Sequence, residues 1–147
     1  DITVTREGEP TGDDCNWTVT YTFTIEDECE NFAEQFSITY SGGDTEPPTL
    51  VSPVPVNDSW LNLCFADIPS GPTEAEIASL FTDNCSQANV TKSGTPSGDD
   101  CNWTVTYNYV IEDDCGNLAE EINITYSGGD IEAPTLEGSI PSIRISF

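Results

Sequence analysis

An internal repeat constrains the fold of this chain more than any other feature of its sequence. The segment Val4–Leu50 recurs as Val90–Leu136 with a constant offset of 86 residues, and about two-thirds of the aligned positions are identical. The run GDDCNWTVTY is present whole in both copies, and so is ITYSGGD. We therefore expect a tandem array of units that fold alike, and we call two residues that are 86 positions apart counterparts.

The repeat also sets the expected domain boundaries. Residues 51–136 form one complete unit, residues 1–50 align with the C-terminal part of a preceding unit, and residues 137–147 align with the first strand of a following one. Gly-Gly followed by TEPPTL or IEAPTL marks each boundary, because proline cannot donate to a β-ladder and stiffens the chain. The chain is thus expected to begin late in one repeat and to end early in another.

Apolar and polar residues alternate within the unit as they do in half-buried strands. A strand over 103–111 carries Trp, Val, Tyr, Tyr and Ile on one face, and a turn leads from it to a second strand over 122–126. The first copy has the same hairpin at 17–25 and 36–40. Short strands and frequent turns predict an all-β fold, a β-sandwich of about seven strands per unit.

One short helix is expected between the strands. Residues Thr73–Leu80 have helical character, with Thr73 as the N-cap and Glu76 at the third helical position. This pair forms a capping box, in which each side chain accepts a hydrogen bond from the other residue's backbone N–H.

Composition excludes several functional classes. Against 27 acidic residues the chain has three basic ones, and the net charge of −24 disfavours nucleic acid and anionic lipid as partners. There is no histidine, so Ser-His and Cys-His nucleophile systems and Cys2His2 zinc sites are excluded. Acidic pairs recur at turns in both copies, which favours a structural role over acid–base catalysis. We expect a protein that is not an enzyme and does not insert into a membrane.

Six cysteines in a chain with a thin core predict disulfides, and hence an oxidising, extracellular location. Cys101 and Cys115 bracket one long strand of about 45 Å, so they should not pair with each other. Of the three possible connectivities for the complete repeat, we favour one bond at each end of the sandwich. The expected pairs are Cys64–Cys101 and Cys85–Cys115. Cys15 and Cys29 are the counterparts of Cys101 and Cys115, so we expect their partners outside the chain; the alternative is that they are free or irregularly paired.

Calcium is the metal that this composition favours, because it prefers hard oxygen ligands. In the predicted sandwich, acids of the linker and of the turns meet at one pole of the complete repeat. The candidate ligands are Asp13, Asp14, Asp44, Glu46, Asp83, Asp113 and Asp114. The alternative is a solvated acidic surface without a bound ion, since no EF-hand register is present.

The run from FTDNC through CNWTVTYNYVIEDDCGNLAEEINITYSGGDIEAPTL resembles the hyalin-like (HYR-like) repeats of very large Bacteroidota surface proteins. These include gliding-motility adhesins exported by the type IX secretion system. The shared features are the TDNC turn, a cysteine before an aromatic–threonine strand, the D-x-C-G-N turn and the closing D-x-x-x-P-T-L linker. The first copy departs from the pattern at Glu30, the counterpart of Gly116. The resemblance implies immunoglobulin-like sandwiches in a surface filament or adhesin and implies no active site.

The expected function is therefore that of a structural repeat in a cell-surface adhesin or filament, acting as a stiff spacer or adhesive stalk. Its expected partners are adjacent repeats or copies of itself, with surface glycans or a host surface or substratum as further candidates. Two alternatives stay open. One is a pilus-like subunit whose half-repeat is completed in trans by a donor strand at 140–147. The other is a carbohydrate-binding module, which needs exposed aromatics clustered on one face.

Overall fold

A computed structural model of the chain describes residues 1–139. The described part is mostly β, with 45% of its residues in strands and 6% in helices, which confirms the predicted all-β class. Most of the expected final strand, including the proposed donor residues 140–147, lies outside the described residues. The strands are β1 Ile2–Glu7, β2 Thr11–Gly12, β3 Trp17–Asp27, β4 Phe36–Gly42, β5 Thr49–Leu50, β6 Asp58–Leu61, β7 Phe81–Thr82, β8 Asn89–Ser93, β9 Ser97–Asp99, β10 Asn102–Glu112 and β11 Ile122–Gly128.

Two compact units divide the chain. The first consists of Asp1–Pro55, Pro72–Ser93 and Asn108–Asn123, and the second of Val56–Gly71, Gly94–Tyr107 and the described residues from 124 to 139. The boundaries of these units differ from the repeat boundary at residue 50. The first unit combines the half-repeat with part of the complete repeat.

In the first unit, β3 is the centre of a four-stranded sheet. It pairs antiparallel with β1, with β4 and with the short β2. Strands β3 and β4 form the hairpin predicted for the first copy. The register of this hairpin places Phe23 opposite Phe36, and the two rings are stacked. Strands β5 and β7 form a separate two-stranded sheet, and the C-terminal half of β10 pairs antiparallel with β8.

The predicted helix is present in the first unit as α1, Glu74–Ala78. Thr73 Oγ1 accepts a hydrogen bond from Glu76 N, and the Glu76 carboxylate accepts one from Thr73 N, so the capping box is confirmed. The Thr73 hydrogen bonds hold the pKa of Glu76 below its ordinary value. Ile77 is fully buried, which makes this one turn of helix part of the core.

In the second unit, β6 pairs in parallel with β11, and β9 pairs antiparallel with the start of β10. A 3-10 helix at Phe65–Asp67 follows Cys64. The polar atoms of the buried aromatics find backbone partners. Trp103 Nε1 donates to the Leu63 carbonyl at 2.8 Å, and the Tyr107 hydroxyl donates to the Pro69 carbonyl at 3.0 Å.

The two copies of the long strand differ in burial although their sequences match. Every second residue of β10 is buried, as the alternation predicts; these residues are Trp103, Val105, Tyr107, Tyr109 and Ile111. In β3 only Val19 is buried, and its neighbour Trp17 is 38% exposed, against 1% for the counterpart Trp103. The face that forms the core of the complete repeat is therefore only partly buried in the half-repeat.

Candidate metal centre

Three carboxylates of the first unit come together at one point. Asp44, Asp83 and Asp113 each offer an oxygen, and these three oxygens lie within 4.8 Å of one another. Asp44 and Asp113 are buried, with 8% and 2% of their surface exposed, and Asp83 is partly buried. These three residues belong to the seven that the sequence singles out as candidate calcium ligands.

The turn after β10 holds Asp113 in place. Its Oδ1 accepts hydrogen bonds from the backbone N–H groups of Cys115 and Asn117, both at 2.8 Å, and its Oδ2 accepts one from Asn117 Nδ2 at 2.7 Å. Burial raises the pKa of Asp113, but these hydrogen bonds and one from Gly116 N outweigh it and leave the pKa below its ordinary value. The carboxylate is thus kept charged inside the protein.

Short turns also position the other two carboxylates. Asp83 Oδ2 accepts hydrogen bonds from the backbone N–H groups of Cys85 and Ser86, at 3.1 and 3.0 Å. Asp44 Oδ1 accepts one from Glu46 N at 3.1 Å. Asp44 and Asp83 therefore each have one carboxylate oxygen held by backbone N–H groups and a second oxygen that can accept another partner.

Those second oxygens have no hydrogen-bond partner. Asp44 Oδ2 and Asp83 Oδ1 are both buried and unpaired, and buried charged oxygens without a partner are costly. A cation would satisfy both. Two oxygens that bind one calcium ion at about 2.3–2.6 Å are at most about 5 Å apart, so the observed spacing suits calcium. The donor set is made of carboxylate oxygens only, which this hard cation prefers.

The remaining four predicted ligands lie outside this trio. Asp13 Oδ1 accepts hydrogen bonds from its own loop, and Asp114 Oδ1 accepts one from Asn89 Nδ2 at 2.7 Å. Asp14 contributes its backbone carbonyl to Asp44 N, and Glu46 contributes its backbone N–H to Asp44 Oδ1. All four side chains are exposed. Their hydrogen bonds stabilise the surrounding loops, and their carboxylates are not part of the acidic trio.

Sequence reasoning missed the residue that assembles this site, Asn117. Its amide donates to Asp113 Oδ2 and also to the Asp44 carbonyl, at 3.3 Å, so it joins the turn after β10 to the linker after β4. The D-x-C-G-N pattern contains this asparagine, but the second hydrogen bond depends on a tertiary contact that the pattern does not encode.

A disulfide lies in the same unit, between Cys15 and Cys115. It corrects the predicted Cys85–Cys115 pair and the expectation that Cys15 finds its partner outside the chain. The physical reason is the linker: Asp44 N donates to the Asp14 carbonyl at 2.8 Å, while Asn117 donates to the Asp44 carbonyl. These two contacts bring the loop of Cys15 to the turn of Cys115.

The other cysteines are exposed free thiols in this structure, so the expected Cys64–Cys101 bond is not formed among the described residues either; these cysteines are Cys29, Cys64, Cys85 and Cys101. Partial desolvation by the neighbouring protein atoms raises the pKa of Cys85, and the nearby charges of Asp44, Asp14, Asp83 and Asp113 raise it further. A thiol with a raised pKa has little thiolate at neutral pH and reacts slowly.

No family model matches this chain, and no curated protein or solved structure matches it. Within residues 1–139, no helix combines the length and the apolar character that a membrane crossing requires. The disulfide is compatible with an oxidising location outside the cytosol.

Proposed function

We propose that this chain is a segment of an extracellular array of immunoglobulin-like repeats, in which a disulfide and a calcium ion fix each repeat to the next. Such an array acts as a stiff spacer or stalk in a cell-surface adhesin or filament. The observation that carries the proposal is the cross-link between Cys15, in the first copy of the repeat, and Cys115, in the second.

The position of the acidic trio supports this role. Asp44 belongs to the linker that closes the first copy, while Asp83 and Asp113 belong to the second copy. A calcium ion bound by all three would connect the two copies a second time, next to the disulfide. Calcium sites of extracellular modules work at about 10⁻⁴–10⁻³ M, a range that suits a site of three carboxylates outside the cell.

The negative charge of the chain is a further reason to expect a bound cation. The chain carries a net charge of −24, and like charges in neighbouring repeats repel one another. The two basic residues of the described part contact aromatic rings, with Arg6 over Tyr21 and Lys92 over Tyr109. A divalent cation at the trio neutralises part of the acidic charge where the copies meet, and it therefore stiffens the array.

Calcium titration of the oxidised chain tests the metal centre. We expect thermal unfolding to shift to higher temperature in calcium and to return in chelator, and calorimetry to show one site. Asp44→Asn and Asp83→Asn should each weaken binding strongly, because each removes a charged ligand whose free oxygen faces the ion.

The repeat offers a matched control at Asp130, the counterpart of Asp44. Asp130 Oδ1 accepts a hydrogen bond from Glu132 N at 2.9 Å, as Asp44 Oδ1 does from Glu46 N, but Asp130 is not part of the trio. In the monomeric chain, Asp130→Asn should leave calcium binding unchanged. Equal melting temperatures in calcium and in chelator, or equal loss of affinity in all three variants, would rule out the site.

A second candidate function is favoured by the exposed apolar face of the first copy. Trp17, Phe36 and Tyr40 are 38%, 47% and 54% exposed on the hairpin whose counterpart is the core of the complete repeat. In a pilus-like fibre, another subunit would cover this face. The mass of the native polypeptide distinguishes the two: several times that of this segment (15.9 kDa) supports the array, and a mass close to it supports the subunit.

A further inference from the structure

The loop before β10 reproduces the loop that carries Cys15. Cys101 N donates to Asp99 Oδ1 at 3.0 Å, as Cys15 N does to Asp13 Oδ1 at 3.1 Å. The linker that follows each hairpin docks on this loop in the same way. Asp130 N donates to the Asp100 carbonyl, and its counterpart Asp44 N donates to the Asp14 carbonyl. The loop of Cys101 therefore has the backbone geometry of the loop of Cys15, and it additionally accepts a hydrogen bond from Phe65 N through Asp100 Oδ1 at 2.8 Å.

In both loops, the backbone of a linker glycine also lies equally close to the cysteine carbonyl. A Cβ on Gly43 would lie 2.0 Å from the Cys15 carbonyl oxygen, and a Cβ on Gly129 would lie 2.1 Å from that of Cys101. Neither position can carry a side chain without moving the backbone, so the Gly-Gly pair of both linkers serves one local geometry.

The turn after β3 reproduces the turn that carries Cys115. Asp27 Oδ1 accepts hydrogen bonds from Cys29 N at 2.8 Å and from Asn31 N at 2.9 Å, and Asp27 Oδ2 accepts one from Asn31 Nδ2 at 2.9 Å. The counterpart turn of Asp113 has the same three hydrogen bonds. The hydrogen bonds from Asn31 hold the pKa of Asp27 below its ordinary value. The first unit thus presents a second copy of the turn, with an exposed thiol at Cys29.

From these two matches we infer that copies of this chain join head to tail through a disulfide between Cys101 of one copy and Cys29 of the next. The bond repeats the observed Cys15–Cys115 link, since Cys101 is the counterpart of Cys15 and Cys29 is the counterpart of Cys115. Both cysteines are exposed residues with free thiols. The partner is a second copy of the same repeat, and its binding surface is the turn Asp27–Asn31.

The chemistry is thiol–disulfide exchange with a small disulfide such as oxidised glutathione. The thiolate of one cysteine attacks the oxidant, forms a mixed disulfide and releases one glutathione thiolate. The thiolate of the other cysteine then attacks the protein sulfur of that mixed disulfide and releases the second. One protein disulfide forms, two protein thiols lose their protons, and the oxidant takes up the two electrons as two glutathione thiols.

Calcium should promote this linkage. In the linked pair, Asp27 in the turn of one copy would lie close to Asp130 in the linker of the other copy. Their counterparts Asp113 and Asp44 lie close together in the structure. Two acidic surfaces repel each other at low ionic strength, and a divalent cation between them reduces the repulsion. This inference rests on the proposed array, but its readout is a covalent bond and not metal affinity.

Oxidation of the purified chain tests the inference. The folded protein is incubated at high concentration with oxidised glutathione, with calcium or with chelator, and is analysed on non-reducing gels and by mass spectrometry of cross-linked peptides. We expect a ladder of dimers and longer multimers in which the Cys29–Cys101 peptide is the dominant intermolecular link. The ladder should be stronger in calcium and should collapse to monomer on reduction.

Serine variants give the controls. Cys29→Ser and Cys101→Ser should each abolish the whole ladder, the dimer included, because each removes one partner of every Cys29–Cys101 bond, whereas Cys85→Ser should leave the ladder intact. Circular dichroism checks that each variant folds, and both exposed positions should tolerate serine. A Cys64–Cys101 bond within one chain, a random mixture of pairs, or only glutathione-capped monomers would overturn the inference. Calcium binding that persists in any of these cases leaves the proposed metal centre standing.

Discussion

The disulfide between Cys15 and Cys115 joins positions that are not equivalent in the repeat. Cys15 precedes the long strand of the first copy, and Cys115 lies in the hairpin turn of the second. A bond between equivalent positions would close on itself as a symmetric pair. A bond between different positions can be repeated from each copy to the next, and it therefore suits an open, linear array.

The first prediction concerns the stability that this bond confers. Its two cysteines are 100 residues apart, and a loop of that length contributes on the order of 4–5 kcal/mol by the chain-entropy model. The double variant Cys15→Ser/Cys115→Ser should lower the free energy of unfolding by up to that amount, measured by urea titration under calcium-free conditions. Cys85→Ser is the control, because Cys85 is an exposed free thiol. Equal stability of the double variant and the control would contradict the assignment.

A second prediction follows from the lowered pKa of Asp113. A carboxyl whose pKa is lower in the folded state stabilises the fold above its unfolded pKa. That stabilisation is lost as the pH falls below about 4. The unfolding free energy should therefore decline as the pH falls from 5 to 3. Asp113→Asn should remove part of this decline, since the amide cannot titrate. An unchanged pH profile in the variant would show that the turn does not depend on the charge of Asp113.

The third prediction uses the two tryptophans as a matched pair. Trp103 is 1% exposed and donates a hydrogen bond from Nε1 to the Leu63 carbonyl, whereas its counterpart Trp17 is 38% exposed. Trp103→Ala should cost about 3–5 kcal/mol of unfolding free energy, and Trp17→Ala less than half of that. Far-UV circular dichroism in urea measures both without relying on tryptophan fluorescence. Equal costs would mean that the face of β3 is buried in solution.

Local features were predictable from the sequence because they depend on neighbours in the chain. The alternation along β10, the hairpins and the capping box of Thr73 and Glu76 all follow from side-chain period and from short-range hydrogen bonds. Pairing of the cysteines was not predictable in this way. It depends on where the linker after β4 packs against the turn of Cys115. The hydrogen bond from Asn117 to the Asp44 carbonyl, which fixes this position, joins residues that are 73 apart in the sequence.

Burial was predictable only in part, for a related reason. The sequence of β3 shows the same alternation as that of β10, yet Trp17 is exposed and Trp103 is buried. Alternation identifies the face that can be buried, but a second layer has to cover it. The same limit applies to the acidic residues: the seven acids could be named from the sequence, but only the fold shows that Asp44, Asp83 and Asp113 lie together.

The last prediction concerns Glu30, the position at which the first turn carries a side chain and the second turn has glycine. Glu30 has a φ of 64°, and its counterpart Gly116 has a φ of 80°. This left-handed region costs a residue with a side chain roughly 1–2 kcal/mol. Glu30→Gly should therefore raise the unfolding free energy by about 1 kcal/mol, after allowing for the greater freedom of glycine in the unfolded chain.

Two further variants separate backbone strain from charge. Glu30→Gln removes the charge and keeps the side chain, so it should give little of the gain if strain is the cause. Gly116→Ala should lower stability by about 1 kcal/mol. A Cβ at that position meets no atom within 4 Å, so its cost comes from the backbone alone. Urea unfolding of the four proteins, wild type included, decides between the causes, and a gain in Glu30→Gln equal to that in Glu30→Gly would assign the effect to charge repulsion in the acidic turn.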